Sequence, residues 1–233
     1  MDLTKNDTSL FDGTKSVNDS FLSGMNRQFV QWSAPRVPRF IETYHLTACT
    51  YLWAALSFFS GYMAQFNSQW LWLMAISVMG HYITDALDGE VGRLRKTGLV
   101  RWGFYTDHFG DFIFLICILL GLSYSVPPNL IRWLMVLMGL WATFFVNAYF
   151  IWIIRKQYTL SFFRISSIEF QFVLAAVIVT FALFGSPALA LFLKILVPIS
   201  ILGLSIVFLR AQYILWHQDL ASKHSTPLSS DKN

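Results

Sequence analysis

Between Glu42 and Asp85 the chain runs for 42 residues without a single Asp, Glu, Lys or Arg. A helix needs about 20 largely apolar residues to cross the hydrocarbon core of a bilayer. One such stretch therefore suffices for two crossings, with the polar run Gln65-Phe66-Asn67-Ser68 as the turn. Four more uncharged stretches follow, Phe112–Ile131, Trp133–Ile154, Phe170–Leu193 and Ile195–Leu209. Pro127-Pro128-Asn129 and Gly185-Ser186-Pro187 supply turns between them. The pattern predicts an all-α integral membrane protein with six transmembrane helices, near 44–65, 68–92, 104–125, 129–154, 165–184 and 188–216.

Composition agrees. The chain is 55% hydrophobic and 13% charged, where a soluble domain carries about 25% charged residues. Disordered, collagen-like and disulfide-scaffold classes are excluded. The net charge of +4 is scattered rather than gathered in a stripe, so nucleic acid is not expected as a partner. Cys49 and Cys117 fall inside predicted spans with no Cys or His at metal spacing, and read as free thiols.

The basic residues sort by side. Fifteen of the seventeen Lys and Arg lie in the N-terminal segment, the loops after the second and fourth spans, and the C-terminal end; only Arg132 and Lys194 fall near the opposite side. The positive-inside rule then places both termini and the active face in the cytoplasm. Residues 1–20 are polar and lack the apolar core of a signal peptide, and are expected to be flexible. In residues 21–42, Phe21, Leu22, Met25, Phe29 and Trp32 recur at helical spacing, which predicts an amphipathic juxtamembrane helix at the interface. The membrane domain is expected over 43–216 and a disordered tail over 217–233.

The acids carry the chemistry. Asp85, Asp88, Glu90, Asp107, Asp111 and Glu169 lie in or beside the spans, and a carboxylate at membrane depth costs at least a few kcal/mol. Asp85 and Asp88 are spaced i, i+3 at the end of the second span, with Gly89, Gly92 and Arg93 continuing that face. Asp107 and Asp111 are spaced i, i+4 at the start of the third. The short loop between them predicts antiparallel neighbours that bring the four carboxylates together. Four such groups in a partly desolvated cleft repel one another unless a cation sits among them. Carboxylates without nearby His or Cys ligands favour Mg2+ or Mn2+. The glycines bare the helix for a bulky ligand and Arg93 offers a forked donor to phosphate, which together point to a pyrophosphate-containing ligand. A structural salt-bridge cluster of these acids with Arg93, Arg95 and Lys96 is the bland alternative.

Asp85-Ala86-Leu87-Asp88-Gly89-Glu90-Val91-Gly92-Arg93 followed by Gly103-Phe104-Tyr105-Thr106-Asp107-His108-Phe109-Gly110-Asp111 resembles the CDP-alcohol phosphotransferase signature, D-x2-D-G-x2-A-R-x8-G-x3-D-x3-D, borne on a six-helix membrane core. Seven of its eight fixed residue types are matched; Gly92 stands in place of alanine, and nine residues rather than eight separate Arg93 from Gly103. The resemblance implies that Asp85, Asp88, Asp107 and Asp111 bind a pair of divalent ions. It implies that Gly89, Gly92 and Arg93 contact a CDP-linked donor, and that Asp111 takes the proton of the acceptor hydroxyl. CMP would be released. The family's P-N-x-I/L-T pattern is met in part by Thr43-Tyr44-His45-Leu46-Thr47, which suggests Thr47 and Tyr44 as donor contacts. Relatives of this kind are commonly homodimers.

Several residues keep two readings. Glu169 is either a helix cap or a polar wall of the acceptor site. His108 forms an Asp-His-x-x-Asp run similar to that of choline and ethanolamine phosphotransferases, and serves the site or simply packs. His81, one turn before Asp85, orients that carboxylate or is a core histidine. Arg155, Lys156 and Arg164 contact lipid headgroups or hold an acceptor phosphate. The donor is CDP-diacylglycerol with an alcohol acceptor, or CDP-choline or CDP-ethanolamine with diacylglycerol; the first is preferred. From other classes, a cation transporter would need acids spread through the membrane depth. A catalytically silent lipid-binding relative would lack an acid. A prenyltransferase-like enzyme would hold its acid motifs much farther apart.

Overall fold

The computed structural model describes residues 21–97, 99–155 and 167–225. Every regular element among them is helical. A short helix α1 (Ser23–Ser33) and a 3-10 turn (Ala34–Arg36) precede six long helices: α2 (Thr43–Met63), α3 (Trp70–Arg95), α4 (Val100–Ser125), α5 (Pro128–Arg155), α6 (Ser167–Phe184) and α7 (Ser186–Ser225). Each falls where the uncharged stretches place it. Three are long and apolar enough to cross a membrane, over Arg101–Ser125, Pro128–Ile151 and Ser186–Leu220. The apolar part of α6, Ile168–Phe184, is shorter. In α2 and α3 the inward faces carry Thr47, Thr50, Ser57, Ser60, Ser77 and His81, all buried. These lower the apolar content of both helices while leaving their outer faces greasy.

The main core gathers residues of α2–α7, with Met74, Val78, Ile118, Leu137, Ile178 and Leu189 almost wholly excluded from solvent. A smaller cluster of Ala34, Leu46, Leu87 and Val91 ties the 3-10 turn to the ends of α2 and α3 that flank the acids. Arg95 locks the same corner: its guanidinium donates to the carbonyls of Val37 and Pro38 at 2.9 and 3.1 Å and to that of Ile41, and lies 3.6 Å from Glu42.

Two sequence expectations need correction. First, α3 and α4 do not pack backbone to backbone. Helix α2 lies against both and is the most extensively packed partner of each. Close approach needs small residues, and α2 meets α4 through Gly61 against Gly121, Ser57 against Gly121 and Thr50 against Gly110. What remains between α3 and α4 is a cleft bridged by side chains. Second, α7 does not end at Trp216 but continues to Ser225. Nothing in Gln218-Asp219-Leu220-Ala221-Ser222-Lys223 breaks a helix, and the first proline comes only at Pro227. At about 1.5 Å per residue, its 40 residues outrun a hydrocarbon core of about 30 Å.

Candidate active site

The cleft between α3 and α4 is where the acids meet. Asp85 from α3 and Asp107 and Asp111 from α4 each aim one carboxylate oxygen at a common point, all within 4.8 Å of one another, and each is half-buried. At an effective dielectric of about 20, two charges that far apart repel by roughly 3 kcal/mol. Asp107 Oδ1 and Asp111 Oδ1 are buried without an aligned hydrogen-bond donor. Converging hard oxygens and orphaned acceptors are the donor set a divalent cation of the Mg2+ or Mn2+ class requires.

Asp88, expected as the fourth member, is not part of this convergence. Its Oδ2 accepts a hydrogen bond from Thr47 Oγ1 at 2.9 Å, and its backbone carbonyl accepts one from Thr43 Oγ1 at 2.8 Å. The reason is the intervening α2: Thr43 and Thr47, one turn apart, present both hydroxyls to the end of α3. Gly92 lies against the same threonine, since a Cβ there would sit 3.3 Å from Thr43 Oγ1. Tyr44, by contrast, is exposed and rests on the ring of His45.

Residues 43–217 match the family profile described as CDP-alcohol phosphatidyltransferase. The chain belongs to that family. No curated protein and no solved structure matches it. The matched span begins at the first residue of α2, so α1 and the 3-10 turn lie outside it. Membership makes the chain a membrane transferase of phospholipid synthesis, for which a CDP-linked donor and an alcohol acceptor are the substrates.

In this transferase the remaining residues fall into place around the cleft. Arg93 is 72% exposed and its guanidinium grips Glu90 Oε2 at 2.6 and 3.0 Å. Gly89 beside it leaves the α3 surface bare; a Cβ there would meet only the Arg93 side chain, at 3.6 Å. His108 lies 3.4 Å from Asp107 Oδ2, and its Nδ1 is 2.8 Å from the Phe104 carbonyl. Its ring stacks on Phe104.

His81 and Glu169 are placed differently from expectation. His81 does not engage Asp85; its Nε2 lies 3.1 Å from Asp111 Oδ1 across the cleft. The ring is fully buried and stacks on Phe114 of α4 at 3.9 Å and 7°. Glu169, at the start of α6, accepts a hydrogen bond from the backbone N–H of Leu22, the residue that opens α1, at 2.8 Å, 147 residues away. Helix α1 is further held by Tyr82, which donates to Asn26 Oδ1 at 2.8 Å and stacks on Phe29. Arg155 closes α5, but its side chain, with Lys156 and Arg164, lies outside the described residues.

Sequence reasoning missed Thr43, Gln171, Phe114 and the Arg95 clamp. Thr43 was legible as one turn before Thr47 on the same face. Gln171 stands out as the one amide in an apolar run from Phe170 to Leu193. Phe114 and the Arg95 clamp leave no such signal, because both depend on how separate elements meet.

Proposed function

We propose that this transferase is divalent-metal-dependent and moves a substituted phosphate, the phosphatidyl group of CDP-diacylglycerol, to an alcohol hydroxyl with release of CMP. The observation that carries the reading is the convergence of Asp85, Asp107 and Asp111 within 4.8 Å, with Asp107 Oδ1 buried and lacking a donor. These three side chains are the metal ligands in this reading. Asp88, supported by Thr47, completes the set. A bound pair of divalent ions would supply charge neutralisation on the phosphates and on departing CMP.

The chain's own residues do the rest. Arg93 leaves Glu90 to take a phosphate oxygen of the donor, and Gly89 and Gly92 let the donor lie close to α3. Asp111 accepts the proton of the acceptor hydroxyl while that oxygen bonds to phosphorus and the bond to the CMP oxygen breaks. Six crossings, with the cleft facing the cytoplasm, let a water-soluble substrate enter from the aqueous side and a lipid enter from the leaflet.

A second branch, CDP-choline or CDP-ethanolamine with diacylglycerol, is favoured by one observation: His108 of Asp-His-x-x-Asp stands beside Asp107. The test is CMP release by detergent-purified protein, with each donor–acceptor pair, with and without Mg2+ or Mn2+. Metal-dependent CMP from CDP-diacylglycerol, lost by about 100-fold or more in Asp111→Asn, is the expected result. CMP from CDP-choline or CDP-ethanolamine alone would transfer the assignment to the second branch. Metal binding with no CMP from any donor would refute phosphotransfer and favour an ion path.

A further inference from the structure

We propose that His81 is a positioning residue for Asp111. The inference rests on the reading of Asp111 as the group that takes the acceptor proton. His81 lies outside the Asp85–Asp111 signature, yet its side chain reaches from α3 to two residues of α4.

Two observations carry it. The ring is 1% exposed and clamped face to face on Phe114 at 3.9 Å, so its direction is set by packing rather than by solvent. Its Nε2 stands 3.1 Å from Asp111 Oδ1.

An imidazole that faces a carboxylate has a definite order of protons. A carboxylate only accepts, so the ring proton belongs on Nε2, facing Asp111. Asp111 Oδ1 is not yet aligned with that N–H, but the terminal torsion of an aspartate is soft and a modest rotation brings it into line. One oxygen of Asp111 is then tied to the scaffold, and the other is held toward the cleft. The same device holds metal-site side chains by their outer partners, where its loss typically costs about 10–100-fold in affinity or activity.

The alternative is a histidine that only fills space between α3 and α4. Three variants separate the two: His81→Leu and His81→Phe remove the donor, the second keeping a ring on Phe114. His81→Gln returns an amide N–H near the place of Nε2. For each, kcat and donor KM for CMP release are measured together with Mn2+ affinity by electron paramagnetic resonance and the thermal midpoint.

Removing the donor should lower kcat about 10–100-fold and weaken Mn2+ binding, with donor KM changed less than about threefold. His81→Gln should recover most of both losses. Should His81→Leu fail to fold, His81→Phe takes its place. Wild-type kcat in either donor-free variant overturns the role, as does a His81→Gln no better than a folded His81→Leu. If wild-type protein binds Mn2+ but releases no CMP from any donor, it is the reading of Asp111 that fails, and the positioning role falls with it.

Discussion

Thr47 and Asp88 show how much one hydroxyl can carry at this site. Thr47 is buried, and its Oγ1 donates to Asp88 Oδ2 at 2.9 Å. Leaving a buried acceptor without its donor costs about 1–3 kcal/mol, more when it is charged. Thr47→Val, which keeps the volume and loses the donor, should lower CMP release by about 10-fold. Thr47→Ser should stay near wild type, and steady-state rates of the pair decide it. Glu90 works in the opposite sense. It holds Arg93 away from a donor phosphate through an exposed pair, and such pairs are worth only about 0–1 kcal/mol. Glu90→Gln should therefore lower the donor KM by no more than about fivefold and leave kcat unchanged; a raised KM would mean that Glu90 helps donor binding. At this scale the aspartates were legible because their i, i+3 and i, i+4 spacings fix a shared face whatever the packing. Partners across helices were not. Whether His81 reaches Asp85 or Asp111, and whether Glu169 reaches Leu22, depends on helix rotation, which spacing within one helix does not encode.

Among the elements, α2 decides the width of the cleft. A Cβ on Gly61 would lie 2.5 Å from the backbone carbon of Gly121, and one on Gly121 would lie 3.0 Å from the Phe58 carbonyl oxygen. Backbone cannot yield as a side-chain tip can, so Gly61→Ala must push α2 and α4 apart. Overpacking of this kind costs about 1–3 kcal/mol and occasionally more. Asp107 and Asp111 ride on α4, so the same variant should lose CMP release along with thermal stability. Gly139 is the control, because a Cβ there meets nothing within 4 Å. Gly139→Ala should raise stability slightly, by up to about 1 kcal/mol, through helix propensity alone. Thermal midpoints in one detergent compare the two, and equal midpoints would remove the Gly61–Gly121 contact from the account. Reading the short loop between α3 and α4 as adjacency failed for a related reason. Loop length limits how far apart two helix ends can be, whereas the pattern of small residues decides which faces touch. The glycines of α2 and α4 carried that information in the sequence, but only as single letters in two apolar runs.

For the molecule as a whole, helix placement was the most legible property, because uncharged length is a direct record of what a bilayer demands. Sidedness is predicted by a separate argument, the distribution of charge. The loop between α3 and α4 sits among Arg93, Arg95, Lys96 and Arg101, whereas the turn between α2 and α3 has no charged residue. Translocating basic residues is unfavourable, so the first loop should stay cytoplasmic and the second should face outward. Leu99 and Ser68 are exposed at these two sites. In a background of Cys49→Ser and Cys117→Ser, a membrane-impermeant maleimide added to intact cells should label Ser68→Cys, and should label Leu99→Cys only after permeabilisation. Because α3 alone separates these two loops, opposite labelling would also establish that α3 crosses the bilayer despite its buried polar face. Labelling of both positions from outside would instead leave α3 lying on one surface. The reverse pattern would turn the cleft away from the compartment in which a nucleotide-linked donor is made, and so contradict the proposed entry of that substrate.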